Sequence, residues 1–303
     1  MKYINVYNYH EEDAKYCLHQ LIEYLTKQYK CKVNMFISKM LRGKKYTIQD
    51  FCNTKCDLVI MLGWKPTLCE IATHYRKTGT PVLMLYTGNI RIPGHYSLSL
   101  NDMIGYDDNL KFKIPDSLRR WNKFGIDLKE RTTGKNILVF HQYRDVSWRV
   151  KYFRQNNKLG VYFSKLVSDL RTKFNNIPII VGLHPKINTR KYKNVIDNLK
   201  NKEGVEVVFG SNKYLSTSAL SVTYNSSAYI DSIVSGVPCY VFEHTSGDNV
   251  VNRFKTVDDI DINNIKFKDR IDWCKWISHQ QWVANEFSNG EPIRYMLDNG
   301  LVF

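Results

Sequence analysis

Two rhythms of apolar and polar positions run along this chain. Short, continuous apolar stretches fall at Lys2–Asn8, Lys32–Ser38, Asp57–Gly63 and Pro81–Tyr86. Runs of that length without polar alternation predict strands buried on both faces. Between them the period lengthens. Over Glu12–Tyr29 the residues Ala14, Cys17, Leu18, Leu21, Ile22 and Leu25 share one helical face. Pro66–Lys77 reads as a second helix, opened by a proline that suits a first turn. Strand and helix in alternation predict a parallel sheet covered on both sides.

The rhythm breaks over residues 88–133, where Gly, Pro, Asn and Asp are scattered through Thr87–Ile114. That stretch reads as a long connection, and long connections are often functional. Asp116–Glu130 reads as a short helix, followed by a linker to Thr132-Thr133-Gly134. Alternation then restarts. Strands are expected at Asn136–Phe140, Pro178–Leu183, Val205–Phe209, Leu220–Tyr224 and Pro238–Phe242. Helices are expected at Lys158–Phe174, Lys191–Asn201 and Ser227–Val234, with a long closing helix over Asp269–Glu286. Trp273, Trp276 and Trp282 on that helix form an aromatic stripe, the mark of core packing. The expected fold class is α/β: two Rossmann-like parallel-sheet domains facing a cleft. Residues 1–125 form the first and 126–303 the second, which carries the closing helix.

Composition supports a folded chain. Apolar residues make up 43% of the 303 positions and aromatics 13%, enough for two cores. No apolar run approaches the roughly 20 residues of a membrane span. The N-terminus reads as a strand rather than a signal peptide, so a cytoplasmic protein without membrane insertion is expected. The seven cysteines have irregular spacing. Cys52, Cys56, Cys69 and His74 lie near one another in sequence but lack paired CxxC spacing, which favours inert thiols over zinc.

Charge changes the picture more. The formal net charge is +15. Residues 126–205 carry 17 Lys and Arg against 6 Asp and Glu, whereas 206–303 carry 8 against 12. Such an excess fits a polyanionic partner, and it equally fits lysine enrichment at solvated positions. Arg119, Arg120, Arg149 and Arg154 are the candidate nucleic-acid contacts.

Candidate chemistry gathers at predicted strand ends of the second half. Tyr224-Asn225-Ser226-Ser227 lies where a strand ends and a helix begins. Asn225, Ser226 and Ser227 can cap the helix or, with its free N–H groups, hold a phosphate. His184 follows another strand and offers a donor to a diphosphate oxygen. After the first strand of this half comes His141-Gln142-Tyr143-Arg144-Asp145-Val146-Ser147-Trp148-Arg149. There Gln142 and Arg144 are candidate donor-site groups, and Trp148 offers a face for a base or sugar. Glu243, after the strand at Pro238–Phe242, is placed to bond a ribose. His95, Asp107 and Asp108 in the irregular connection are alternative general bases, and sequence does not choose between them.

Thr223-Tyr224-Asn225-Ser226-Ser227, Gly236-Val237-Pro238, Trp273 through Trp282, Gly290-Glu291, Phe140-His141-Gln142, Leu183-His184-Pro185 and Trp121-Asn122-Lys123-Phe124-Gly125-Ile126 together resemble phage-encoded glycosyltransferases of the GT-B type. The His-Pro and Ser-Ser pairs are also distantly similar to donor-binding elements of polysialyltransferase-like and capsule-type transferases. The likeness is concentrated over residues 118–300. It implies a nucleotide-sugar donor, a UDP-sugar first, in the second domain and an acceptor at the first. Catalytic roles would fall to His184 and to a base such as His95 or Asp107. Within this picture the acceptor is a hydroxylated base in phage DNA, modified in the host cytoplasm. A surface polysaccharide or glycan is the alternative acceptor, and a non-catalytic nucleotide- or nucleic-acid-binding protein is the rival class. No GxGxxG fingerprint is present, and no bound metal or permanent cofactor is expected.

Overall fold

The computed structural model describes residues 1–8, 12–37, 48–63, 66–101, 112–142, 159–185, 187, 189–190, 192–242 and 245–303. The chain divides into two units, Met1–Phe124 together with Cys274–Phe303, and Gly125–Trp273.

The first unit opens β1 (Tyr3–Asn8), α1 (Glu12–Tyr29), β2 (Lys32–Ile37), α2 (Ile48–Cys52), β3 (Leu58–Leu62), α3 (Pro66–Lys77), β4 (Val82–Thr87) and β5 (His95–Leu100). β1 pairs in parallel with β2 and β3, and β3 with β4, so that Val6 lies beside both Met35 and Ile60. Every β3 side chain is fully buried, as a continuous apolar run requires. Each large side chain of that kind contributes roughly 1.5–3 kcal/mol. The predicted face of α1 packs inward, with Ala14, Leu18, Leu21 and Leu25 fully buried.

β5 departs from the irregular connection expected over residues 88–133. It runs antiparallel to β4, with Leu83 opposite Leu100 and Leu85 opposite Leu98. Its sequence alternates Leu98 and Leu100 with Ser97 and Ser99, and both serines are fully buried. The period of two was there, but serines on the second face disguised a buried strand. Helix over Asp116–Glu130 shrinks to α4 (Arg119–Asn122), because Gly125 turns the chain with φ +64°.

The second unit holds β6 (Asn136–Phe140), α5 (Leu159–Lys173), β7 (Ile179–Leu183), α6 (Lys193–Lys200), β8 (Val205–Phe209), β9 (Ser218–Thr223), α7 (Ala228–Val234), β10 (Cys239–Val241) and β11 (Asn252–Arg253). Its six strands lie in the order β11-β10-β9-β6-β7-β8, all parallel. Numbered within the unit this is 3-2-1-4-5-6 read from β8, the doubly wound Rossmann order.

The long closing helix is replaced by shorter elements. α8 (Ile271–Ser278) ends, β12 (Gln281–Val283) pairs antiparallel with β5, and α9 (Ala284–Ser288) and α10 (Glu291–Asp298) follow. The Gln281 side chain accepts the Ile90 N–H at 3.0 Å and donates to the Ile90 carbonyl at 3.3 Å, which ties β12 to the first sheet. Cys274–Phe303 therefore belongs to the first unit, whereas the sequence reading ended the second domain at 303. Trp273, Trp276 and Trp282 are buried, as core residues.

Candidate functional site

In a doubly wound sheet the strand order reverses at one point, and the loops leaving the carboxyl ends there diverge to either side. In the second unit this point lies between β6 and β9. Phe140 and Thr223 are paired in register, so the next residues of both strands leave side by side. His141 and Gln142 follow β6; Tyr224 and Asn225 follow β9. Across the reversal Gln142 Nε2 donates to Asn225 Oδ1 at 2.6 Å. Two donor-site candidates separated by 83 positions thus meet at the place where such folds open a crevice.

Beside them runs β7. The His141 N–H donates to the Gly182 carbonyl at 2.9 Å, and His184 follows the strand one residue beyond Leu183. Gly182 has no room for a side chain, since a Cβ there would come within 2.3 Å of the Ser211 Cβ. The two imidazoles therefore stand at the ends of neighbouring strands.

The sequence reading assigns His141 no role. It is 3% exposed, with Phe163 at 4.6 Å and Tyr192 at 6.4 Å between ring centroids. Its Nδ1 is buried without a hydrogen-bond partner among the described residues. Burial first, and the neighbouring His184 second, push its pKa down to about 4, so the ring is neutral at physiological pH. The signal that marks it is position: it follows β6 as His184 follows β7.

On the β9 side, Tyr224 stacks on Phe242 at 5.0 Å, and Tyr162 meets both rings edge-on. Thr223 Oγ1 accepts the Ser226 N–H at 3.2 Å, and Ser226 Oγ accepts the Ala228 N–H at 3.4 Å. Ser226 therefore performs local capping, the plainer of its two readings. Ser227 is the exposed N-cap residue of α7 and does not cap it through its side chain.

Other candidates lie elsewhere. Arg144, Trp148, Glu243, Asp107, Arg149 and Arg154 lie outside the described residues, as do Asp108 and His244. His95 is the first residue of β5 in the first unit, half-buried, its ring edge-on to Phe124 at 5.2 Å. Its Nδ1 lies 3.2 Å from the Pro93 carbonyl. A carbonyl only accepts, so Nδ1 carries the hydrogen and Nε2 is the basic nitrogen.

Arg119 is exposed, but Arg120 is 8% exposed and engaged internally. It donates to both Glu286 carboxylate oxygens at 2.6 and 2.7 Å and to the Ser278 and Gln281 carbonyls at 2.6 and 2.7 Å. Its guanidinium also lies 4.0 Å over the Trp282 ring. Arg120 is thus engaged within the first unit, where its donors fasten the C-terminal elements, rather than held out toward a nucleic acid.

The strand edge can thus present an amide pair, two imidazoles and the hydroxyls ahead of α7 to an anionic, hydroxylated ligand. No protein-family model matches the sequence, and neither does any curated protein. Solved structures do match. The chain is similar to Thermosulfurimonas dismutans KpsC, beta Kdo 2,4 transferase, with a TM-score of 0.53 and 14% identity over 92% of each chain. It is similar to the beta Kdo 2,7 transferase of the same protein, with a TM-score of 0.51 and 15% identity over 95% of this chain and 99% of that one. At these identities the likeness is one of fold, and it matches the two-unit α/β architecture with parallel-dominated sheets described above.

Proposed function

We propose that this chain is a glycosyltransferase that takes a sugar from a nucleotide-sugar donor bound at the carboxyl edge of the second unit's sheet. The observation that carries this reading is the Gln142–Asn225 bond across the strand-order reversal, with His141 and His184 beside it. The fold shared with two Kdo transferases supports it. Asn225, Ser226 and Ser227 hold the diphosphate together with N–H groups ahead of α7, and Gln142 orients Asn225. His184 stabilises charge that develops on the leaving phosphate. Arg144, Trp148 and Glu243 complete the donor site, on the diphosphate, the base or sugar, and the ribose respectively. His95, through Nε2, or Asp107 deprotonates the acceptor hydroxyl. A UDP-sugar is the first donor to test.

For the acceptor, we favour a glycan hydroxyl over a hydroxylated DNA base. Arg120 is committed internally. Several described cations of the basic segment are engaged within the chain: Lys165 pairs with Asp169 and Lys193 with Asp197, and Lys173 donates to the Val257 and Asp258 carbonyls. A panel of nucleotide sugars read by thermal shift tests the donor site, because a ligand bound only by the folded state raises the unfolding midpoint. Release of free nucleotide in the presence of acceptor glycans then separates an enzyme from a binding protein. A flat panel with no nucleotide release would remove the proposal.

A further inference from the structure

The first unit holds a cavity of about 480 Å³ whose lining includes Asp116, Arg119, Arg120, Lys123, His279 and Glu291. That volume lies within the range of small-molecule sites. Arg119 and Lys123 are four residues apart, and Lys123 continues the helical backbone of α4 with φ −64° and ψ −22°. The two cations therefore share one face. Neither side chain has an ion-pair or hydrogen-bond partner among the described residues, and the same holds for the Asp116 and Glu291 carboxylates. Arg120 makes no bond to those carboxylates among the described residues: four of its five N–H donors go to Glu286 and to the Ser278 and Gln281 carbonyls. His279 Nδ1 lies 2.9 Å from the Lys275 carbonyl and so carries the hydrogen, which leaves Nε2 as an acceptor. Burial lowers the pKa of this ring, against the Lys275 hydrogen bond, which raises it.

One cavity thus offers two uncommitted cations on one face and three acceptors elsewhere on its wall. A bare anion would satisfy the cations and be repelled by the carboxylates. A metal ion would meet the reverse difficulty. A ligand with one anionic group and several hydroxyls satisfies both sets. We propose that this cavity binds a sugar bearing a carboxylate or a phosphate, the anion on Arg119 and Lys123 and hydroxyls donating to Asp116, Glu291 and His279 Nε2. The cavity lies within the first unit and does not depend on the donor site being correctly assigned.

Calorimetry on the full chain with glucuronate, glucose 6-phosphate, glucose and inorganic phosphate tests this. Saturable binding of glucuronate or glucose 6-phosphate is expected, about tenfold or more tighter than glucose, as loss of a charge-assisted contact predicts. Arg119→Gln with Lys123→Gln should lower that affinity about tenfold or more while leaving the thermal midpoint and UDP-sugar binding unchanged, since both side chains are exposed. Asp116→Asn with Glu291→Gln should weaken the acidic sugars and leave inorganic phosphate no weaker. The preferred acid identifies the anion, and either preference supports the site. Absence of saturable binding, equal affinity in the Arg119/Lys123 variant, or inorganic phosphate binding as tightly as the sugar phosphate would overturn it. Each of those results leaves the donor-site reading standing, because UDP-sugar binding is measured separately.

Discussion

The imidazole of His141 is enclosed by Phe163 and Tyr192 and held near neutrality by burial and by His184. In the unfolded chain the same group takes up a proton near its ordinary pKa of 6.5, whereas in the folded chain it does so only at about 4. Between those values the unfolded state binds more protons, so stability falls as pH falls from 6.5 toward 4. The loss reaches roughly 3 kcal/mol at the lower end. Urea unfolding at pH 7, 6 and 5 should show this slope in the parent and a shallower one in His141→Gln; equal slopes would remove His141 as its source. Two further variants address the donor site. Ser226→Ala with Ser227→Ala should weaken nucleotide-sugar binding by roughly 1.5–3 kcal/mol per lost charge-assisted bond, beside a loss of stability of roughly 0.5–2 kcal/mol from the removed Ser226 cap. His184→Ala should lower turnover more than donor affinity, since a group that answers charge on the leaving phosphate acts on the transition state. Calorimetry and turnover together decide: normal turnover with only a stability defect would make His184 structural. At this scale sequence singled out Gln142, Asn225 and His184 as candidates because each follows an apolar run. It passed over His141, whose enclosure depends on Phe163 and Tyr192 from other elements.

Among the elements, β12 and the two helices after it hold the clearest lesson. The spacing of Trp273, Cys274, Trp276 and Ile277 is helical, and no proline or glycine interrupts the chain before Gln281. Local pattern therefore ran one helix through to Glu286. What breaks it is long-range: Arg120 donates to the Ser278 carbonyl, the Gln281 carbonyl and both Glu286 carboxylate oxygens, some 158 to 166 positions away. Gly290 adds to this docking, since its φ of +71° and the Tyr24 ring at 1.9 Å from any Cβ admit no other residue without a shift. Burial disfavours the Glu286 carboxylate, and Arg120 outweighs it, holding its pKa below the usual value. Arg120→Ala should strand that carboxylate, whose side chain is 12% exposed, and cost roughly 3–5 kcal/mol. Arg120→Met with Glu286→Leu should recover much of the loss, because an apolar pair leaves no charge unpaired. Denaturant midpoints of the three proteins provide the measurement. A stable Arg120→Ala protein would release this arginine for another task and return it to the list of possible anion contacts.

For the whole molecule, alternating apolar runs were enough to read two units with parallel-dominated sheets, though not the antiparallel β5 and β12 of the first. The strand order that locates the site was not legible, because pairing of β6 with β9 across 80-odd positions leaves no local trace. Net charge was legible as a number, but its meaning depends on where the cations go. The +15 excess is concentrated in residues 126–205, where Lys165 and Lys193 pair with Asp169 and Asp197 and where Lys173 and Arg171 donate to carbonyls. Exposed pairs of this kind add little stability and fix the side chains that make them. A duplex bound through Z phosphates loses affinity with salt at a slope of about −0.9Z. If the excess is a solvated surface, the parent should show a slope no steeper than about −2, and charge reversal at Arg149 and Arg154 should leave it nearly unchanged. If the acceptor is DNA, several phosphate contacts must act together. The slope should then approach about −5 or steeper and flatten on reversal, with affinity reduced alike for all sequences, since phosphate contacts carry no base information. Duplex affinity at several salt concentrations, for the parent and Arg149→Glu with Arg154→Glu, decides between them. A shallow slope keeps the glycan acceptor first; a steep one that the reversal flattens would replace it with a DNA base, which must leave the duplex stack to be reached.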